Sequence, residues 1–184
     1  MTQKLVILDR DGVINQDSDD YIKSAQEWIP VPGSLEAISR LKKAGYTVVV
    51  ASNQSGLARG LFDLTALQAI HDKMKQSLAQ RGTQIDGIYF CPHGPNDNCS
   101  CRKPKPGLLL QIASEFQIKA ADMIFVGDSY TDIQAAQVAG SQAVLVKSGK
   151  GTKTLNRHGP FTNVPVYDDL SHFVREFLKK YHEK

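Results

Sequence analysis

Short apolar runs rich in β-branched residues recur along the chain, and each gives way abruptly to small polar residues. They are KLVIL at 4–8, YTVVVAS at 46–52, IDGIYF at 85–90, MIFV at 123–126 and QAVLV at 142–146, with a shorter candidate at 164–167. Runs of this length that lack polar alternation read as strands covered on both faces. Between them lie stretches of helical periodicity. Strand and helix alternating in this way close into a mainly parallel sheet with helices on both sides. The expected fold class is therefore α/β, doubly wound and Rossmann-like.

The helical stretches carry their own punctuation. Leu35, Ile38 and Leu41 share one face of a helix that Ser34 is expected to cap and Gly45 to end. Asp63 caps a longer one through Leu64, Leu67, Ile70, Met74 and Leu78, ended by Gly82. Further helices are expected at 107–117, at 131–139 and from Leu170 onward, while a glycine- and lysine-rich loop follows Val146. Residues 15–33 read as a polar loop over the sheet. No repeat, low-complexity segment or linker divides the chain, so residues 1–184 are expected to form one domain with a minimal cap.

Composition narrows the function classes. A chain of 184 residues with 41% hydrophobic and 22% charged content can bury its own core. It has no apolar run long enough for a bilayer and no signal-peptide pattern, so a cytoplasmic protein with no membrane attachment is expected. The net charge of +3 is scattered among acids and forms no stripe, which gives nucleic acid no footing.

Three strands end in polar clusters: Asp9 with Asp11, Ser52 with Asn53, and Asp128 with Asp132. In a doubly wound sheet, ligands bind outside the carboxyl ends of the strands, so these clusters lie along one rim. One cluster alone reads as a turn, but three on one rim read as a site. Asp9, Asp11 and Asp128 offer hard oxygens suited to Mg²⁺, which takes a few carboxylates together with substrate phosphate and water. A carboxylate can also attack phosphorus, and Ser52, Asn53 and Lys103 are of the types that hold a phosphoryl group while its charge redistributes.

The four runs LDRDGVIN, ASNQSG, RKPKPG and VGDSYTD, in this order, resemble the motifs of the haloacid dehalogenase-like (HAD) phosphohydrolases along essentially the whole chain. The resemblance implies an aspartyl-phosphate mechanism. Asp9 would be nucleophile and Asp11 the acid and base, with Ser52 and Lys103 on the phosphoryl group. Asp9, Asp128 and the backbone carbonyl of Asp11 would bind Mg²⁺, with Asp132 an acid beside the metal. Val13 stands where many members have Thr, a position with no catalytic group of its own.

All three cysteines fall in one window, where Cys91, His93, Cys99 and Cys101 make a C-x-H then C-x-C set. Three thiolates and an imidazole form a closed tetrahedral set for a structural Zn²⁺. Arg102 and Lys103 follow at once, so a metal loop at 91–101 would fix where those cations point.

Such a loop with a minimal cap is similar to two related groups of the family, the heptose 1,7-bisphosphate 7-phosphatases and the histidinol-phosphate phosphatases. NQSGLARGLF, CPHGP and CRKPKPG resemble the former. That implies removal of the C7 phosphate from D-glycero-D-manno-heptose 1,7-bisphosphate by a monomeric enzyme. The product would be heptose 1-phosphate, for nucleotide-activated heptose and lipopolysaccharide core synthesis, with the C1 anomer left open. By the same resemblance, Asp17, Ser18, Asp19, Tyr21, Ser52 to Ser55 (through Asn53 and Gln54), Arg102 and Lys103 would contact substrate. The rival readings are a histidinol-phosphate phosphatase and a zinc-stapled binding module on an inactive scaffold; retention of Asp9, Asp11 and Asp128 weighs against the latter. His71, His158, His172 and His182 lack ligand partners at useful spacing and read as ordinary, and Trp28 as packing.

Overall fold

The computed structural model describes residues 4–182, with side chains as far as residue 180. The chain runs β1 (Leu5–Leu8), α1 (Ser34–Lys43), β2 (Thr47–Asn53), α2 (Leu64–Ala79), β3 (Gly87–Cys91) and α3 (Gly107–Glu115). It continues through β4 (Met123–Gly127), α4 (Tyr130–Ala139), β5 (Gln142–Val146), α5 (Gly151–His158), β6 (Val166–Tyr167) and α6 (Leu170–His182). The six strands form one sheet in the order β3-β2-β1-β4-β5-β6, and every neighbouring pair is parallel. The chain reverses its direction of travel across the sheet between β1 and β4, which is where open α/β sheets bind ligands.

Strand alternation divides the core in two. Val6, Leu8, Val48, Val50 and Val126 face α1, α2 and α6, whereas Leu5, Ile7, Val49, Ala51 and Phe125 face α3 and α4. This explains the unbroken apolar runs, since neither face of the central strands meets water. Each fully buried aliphatic side chain contributes about 1.5–3 kcal/mol of transfer free energy, so the central strands anchor the rim that carries the polar clusters. Trp28 is buried in the first of these layers, packing as expected.

Two local readings are corrected. Ser34 does not cap α1: Gly33 occupies the cap position with φ +80°, and the Ser34 hydroxyl donates instead to the Ile14 carbonyl at 2.6 Å. The loop after β5 contains α5, whose short, polar sequence gives no clear apolar stripe. Its first residue must be glycine because a Cβ at Gly151 would come within 1.7 Å of the Val146 carbonyl oxygen. Asp63 does cap α2, accepting from the Ala66 amide at 2.8 Å.

Candidate active site

The ends of β1 and β4 meet at the rim. The Asp9 amide donates to the Val126 carbonyl at 2.9 Å, so the first residue past β1 is stitched to β4 two residues before Asp128. Gly12 then turns the chain back with φ +86°, in a conformation that leaves no room for a side chain. A Cβ there would lie 2.0 Å from Asp128 Oδ2. The turn brings Asp9 and Asp128 together, and α4 adds a third carboxylate. Asp132 sits in the first turn of α4, where one oxygen accepts from the Ser129 amide at 3.0 Å and hydroxyl at 2.7 Å in a capping box.

Ligand-capable oxygens of Asp9, Asp128 and Asp132 all lie within 4.8 Å of one another. Burial, then the Asp132 charge, pushes the Asp9 carboxyl well above its usual range; the same two causes in the same order push Asp128 up to about 7. Lys103 offsets part of this. Its ammonium, 2% exposed, lies 2.7 Å from Asp132 Oδ1 and 3.1 Å from Asp9 Oδ1, donates to the Ala51 carbonyl at 3.0 Å and sits 5.2 Å from the centre of the Phe125 ring. Although burial alone would lower its pKa, the two carboxylates together hold it above the ordinary lysine value. Four carboxylates, counting Asp11, thus face Arg10 and Lys103. The excess negative charge and three converging hard oxygens fit a small divalent cation.

Asp11 is held apart from this cluster. Both of its oxygens are gripped by the buried Arg10 guanidinium, with Nε and Nη2 each at 3.0 Å, and Asn15 and Gln54 add bonds at 2.9 and 3.2 Å. Against the desolvation of a buried group, these partners keep the Asp11 carboxyl below the usual carboxylate value. Arg10 is held in turn by Gln54 Oε1 at 3.3 Å and by His71 Nε2 at 3.5 Å. His71 is therefore not an ordinary histidine. Burial and then the Arg10 charge depress its pKa to about 4, leaving a neutral imidazole that accepts from the guanidinium. His158 stacks on Tyr130, His172 pairs with Asp168, and the His182 side chain lies outside the described residues.

The cavity over this floor, about 270 Å³, is walled by Asp17, Ser18, Asp19 and Tyr21 from the 15–33 loop. Asn53, Ser55, Arg102 and Lys103 line it as well. Ser52 and Gln54 are not part of the wall. Ser52 is 1% exposed, its hydroxyl accepts from Gln54 Nε2 at 3.3 Å, and Gln54 lies behind Asp11. Sequence reasoning missed Arg10, His71 and Ser129, and also Lys150, whose amide donates to Asp128 Oδ2 at 2.7 Å. Arg10 stood in plain view between two aspartates; the other three become visible only once the fold is known.

The cysteine window lies beside the same rim. β3 ends in buried Cys91, whose Sγ lies 3.5 Å from His93 Nδ1, 3.7 Å from Cys99 Sγ and 3.0 Å from Cys101 Sγ. All four ligand atoms fall within 4.8 Å of one another, a spacing that can hold a metal ion. Burial and the neighbouring Cys101 push the Cys91 thiol up to about 12, so a cation is needed to hold it as thiolate. Arg102 Nη1 donates to the His93 carbonyl at 3.3 Å and Lys105 Nζ to the Cys99 carbonyl at 2.7 Å, which folds the loop onto itself ahead of Lys103.

Comparison with known proteins agrees with this geometry. Residues 100–173 match the HAD-hydrolase-like family. The D-glycero-β-D-manno-heptose-1,7-bisphosphate 7-phosphatase of Pseudomonas putida is 52% identical over 95% of this chain and 99% of its own length. That of Bordetella bronchiseptica is 53% identical over 96% of this chain and 99% of its own. The chain belongs to the HAD-like hydrolases. With relatives about half identical over nearly the whole chain named as phosphatases, it is a phosphoric monoester hydrolase, and its fold agrees with a solved relative. The crystal structure of the D,D-heptose 1,7-bisphosphate phosphatase from B. bronchiseptica, complexed with magnesium and phosphate, superposes with a TM-score of 0.94 at 53% identity, covering 97% of this chain and 99% of that one.

Proposed function

We propose that this HAD-like hydrolase removes the C7 phosphate of D-glycero-β-D-manno-heptose 1,7-bisphosphate, giving heptose 1-phosphate for nucleotide-activated heptose and lipopolysaccharide core synthesis. The observation that carries the reading is the convergence of Asp9, Asp128, Asp132 and Lys103 at the sheet's switch point, in a chain about half identical to phosphatases of that name. The β anomer at C1 follows from the names of those relatives. One domain and a cytoplasmic monomer complete the proposal. A single sheet contains every described strand, and no described helix is long and apolar enough to cross a membrane.

In this reading Asp9 attacks phosphorus, the bond to the sugar oxygen breaks, and Asp11 gives that oxygen a proton. Water, deprotonated by Asp11, then attacks the aspartyl phosphate, releasing phosphate and restoring Asp9. Lys103 offsets part of what burial and Asp132 do to Asp9 and faces the charge that spreads over the phosphoryl oxygens. Asp11 has to exchange part of its pairing with Arg10 for substrate before it can carry a proton. Asp9, Asp128, the Asp11 carbonyl and Asp132 would hold Mg²⁺, which supplies charge neutralisation for the phosphoryl group when bound. Cys91, His93, Cys99 and Cys101 would hold a structural Zn²⁺. Ser52 acts from behind through Gln54, while Asp17, Ser18, Asp19, Tyr21, Ser55 and Arg102 surround the sugar.

The test is kcat/KM for the β bisphosphate, its α anomer and histidinol phosphate. The β bisphosphate is expected to lead histidinol phosphate by at least about 100-fold, well within the roughly 10⁴-fold by which a site built to hydrogen-bond substrate groups rejects an analogue lacking them. Equal or better turnover of histidinol phosphate would overturn the reading.

A further inference from the structure

The turn at 148–150 is fixed against the reaction centre from three sides. The Ser148 hydroxyl donates to the Gly12 carbonyl at 2.7 Å, and the Lys150 amide donates to Asp128 Oδ2 at 2.7 Å. Between them Gly149 packs so closely that a Cβ would lie 2.3 Å from Asp128 Oδ2 and 2.4 Å from the Gly12 Cα. A side chain leaving this turn therefore starts from a backbone position set by the same residues that organise the carboxylate cluster. The Lys150 side chain does so, and it lines the same cavity.

The Lys150 ammonium is half exposed and lies 3.3 Å from Asp17 Oδ2 on the facing loop. Lys150 is 52% exposed but Asp17 only 17%, so water screens the pair in part; a phosphate dianion carries about twice the charge of the carboxylate it would replace and so draws the lysine across. Of the other two cations of the wall, Lys103 is paired with Asp9 and Asp132, while Arg102 gives one Nη1 bond to the His93 carbonyl and keeps its other donors for the sugar. A substrate with phosphates at both ends puts one on Asp9 and brings the other, a dianion, toward a wall that also carries Asp17 and Asp19. Lys150 is the cation that already stands beside the acids of the 15–33 loop, next to Asp17.

We propose that Lys150 binds the phosphate that the reaction leaves in place, exchanging Asp17 for it when substrate enters. Asp17, released, is then free to accept a hydrogen bond from a sugar hydroxyl. This inference rests on the bisphosphatase reading and extends it to a specificity-determining residue in the loop after β5.

The experiment compares wild type, Lys150→Gln and Lys150→Arg on the heptose bisphosphate and on heptose 7-phosphate, which lacks the second phosphate. The glutamine variant keeps the backbone amide on Asp128. For the bisphosphate its kcat/KM is expected to fall about 10- to 100-fold, the loss of one charge-assisted hydrogen bond, through KM and with little change in kcat. Turnover of the monophosphate should change by less than about threefold, and Lys150→Arg should restore most of the loss on the bisphosphate. Inhibition by the product, heptose 1-phosphate, should weaken in Lys150→Gln while inhibition by inorganic phosphate stays the same. Equal losses on both substrates, or none, would overturn the proposal and leave the residue a clamp on the 15–33 loop. Failure of the wild type to turn over the bisphosphate overturns the functional reading itself, and with it this one, before any variant is compared.

Discussion

Asn53 holds both sides of Lys103. Its Oδ1 accepts from the Lys103 amide and its Nδ2 donates to the Lys103 carbonyl, each at 3.0 Å, so the end of β2 dictates where the buried ammonium enters the carboxylate cluster. Asn53→Ala should therefore lower kcat about 10- to 100-fold, the cost of misplacing a charged group by a fraction of an ångström to an ångström. Steady-state kinetics should show the loss in kcat more than in KM. An unchanged kcat would mean that the Cys/His loop positions Lys103 without help.

That loop supplies a second prediction. Cys99→Ser and Cys101→Ser remove one thiolate each from the four-ligand cluster beside Arg102 and Lys103. Loss of a structural metal should expose residues 91–107 to limited proteolysis and reduce activity by about tenfold or more, although the metal does no chemistry. Metal analysis should find one zinc per chain in the wild type and less in the variants. Full activity and protease resistance after complete zinc removal would contradict the role given to the loop.

His71 makes stability depend on pH. Its pKa is depressed to about 4 from the ordinary 6.5, so between these values the unfolded chain binds the proton more readily than the folded one. The contribution is intact above pH 6.5 and is lost as pH falls toward 4, by about 3 kcal/mol in all. His71→Phe should lower stability at pH 7, because Arg10 Nη1 loses an acceptor, yet show a shallower decline between pH 6.5 and 4. Urea midpoints across that range measure both, and identical slopes would contradict a neutral imidazole against Arg10.

Gly12→Ala tests the closest approach in the site. Positive φ costs an alanine about 1–3 kcal/mol, and its Cβ would collide with Asp128. The expected result is a folded protein whose kcat/KM falls at least about 100-fold and whose Mg²⁺ requirement rises. A wild-type Mg²⁺ requirement would show that Asp128 need not lie against the Gly12 turn.

Much of this site was legible because strands record their burial in composition. The apolar runs ended where Asp9, Asn53 and Asp128 project from the rim, with Ser52 buried just short of it, and the cysteine spacing marked its own ligand set. What could not be read depended on long-range approach. Nothing near His71 in sequence marks it as a partner of Arg10, 61 residues away. Lys150 looked like one cation in a glycine-rich loop because its importance comes from the Gly12–Gly149 contact across the rim. α5 was hidden because a short polar helix beginning with glycine carries no apolar stripe. The split in roles between Asp11 and the other acids came only from family resemblance; the structure adds that Arg10 grips Asp11 through both oxygens, while Asp9 and Asp132 pair with Lys103.

The division of labour between Asp9 and Asp11 is the centre of the account, and rapid acid quench with substrate labelled in the reacting phosphate tests it directly. Wild type should show a transient acyl phosphate on Asp9, Asp9→Asn should show none, and Asp11→Asn should form it slowly and then hold it for lack of a base. Labelled enzyme in Asp9→Asn, or no trapped phosphate in either wild type or Asp11→Asn while wild type still turns over, would contradict it.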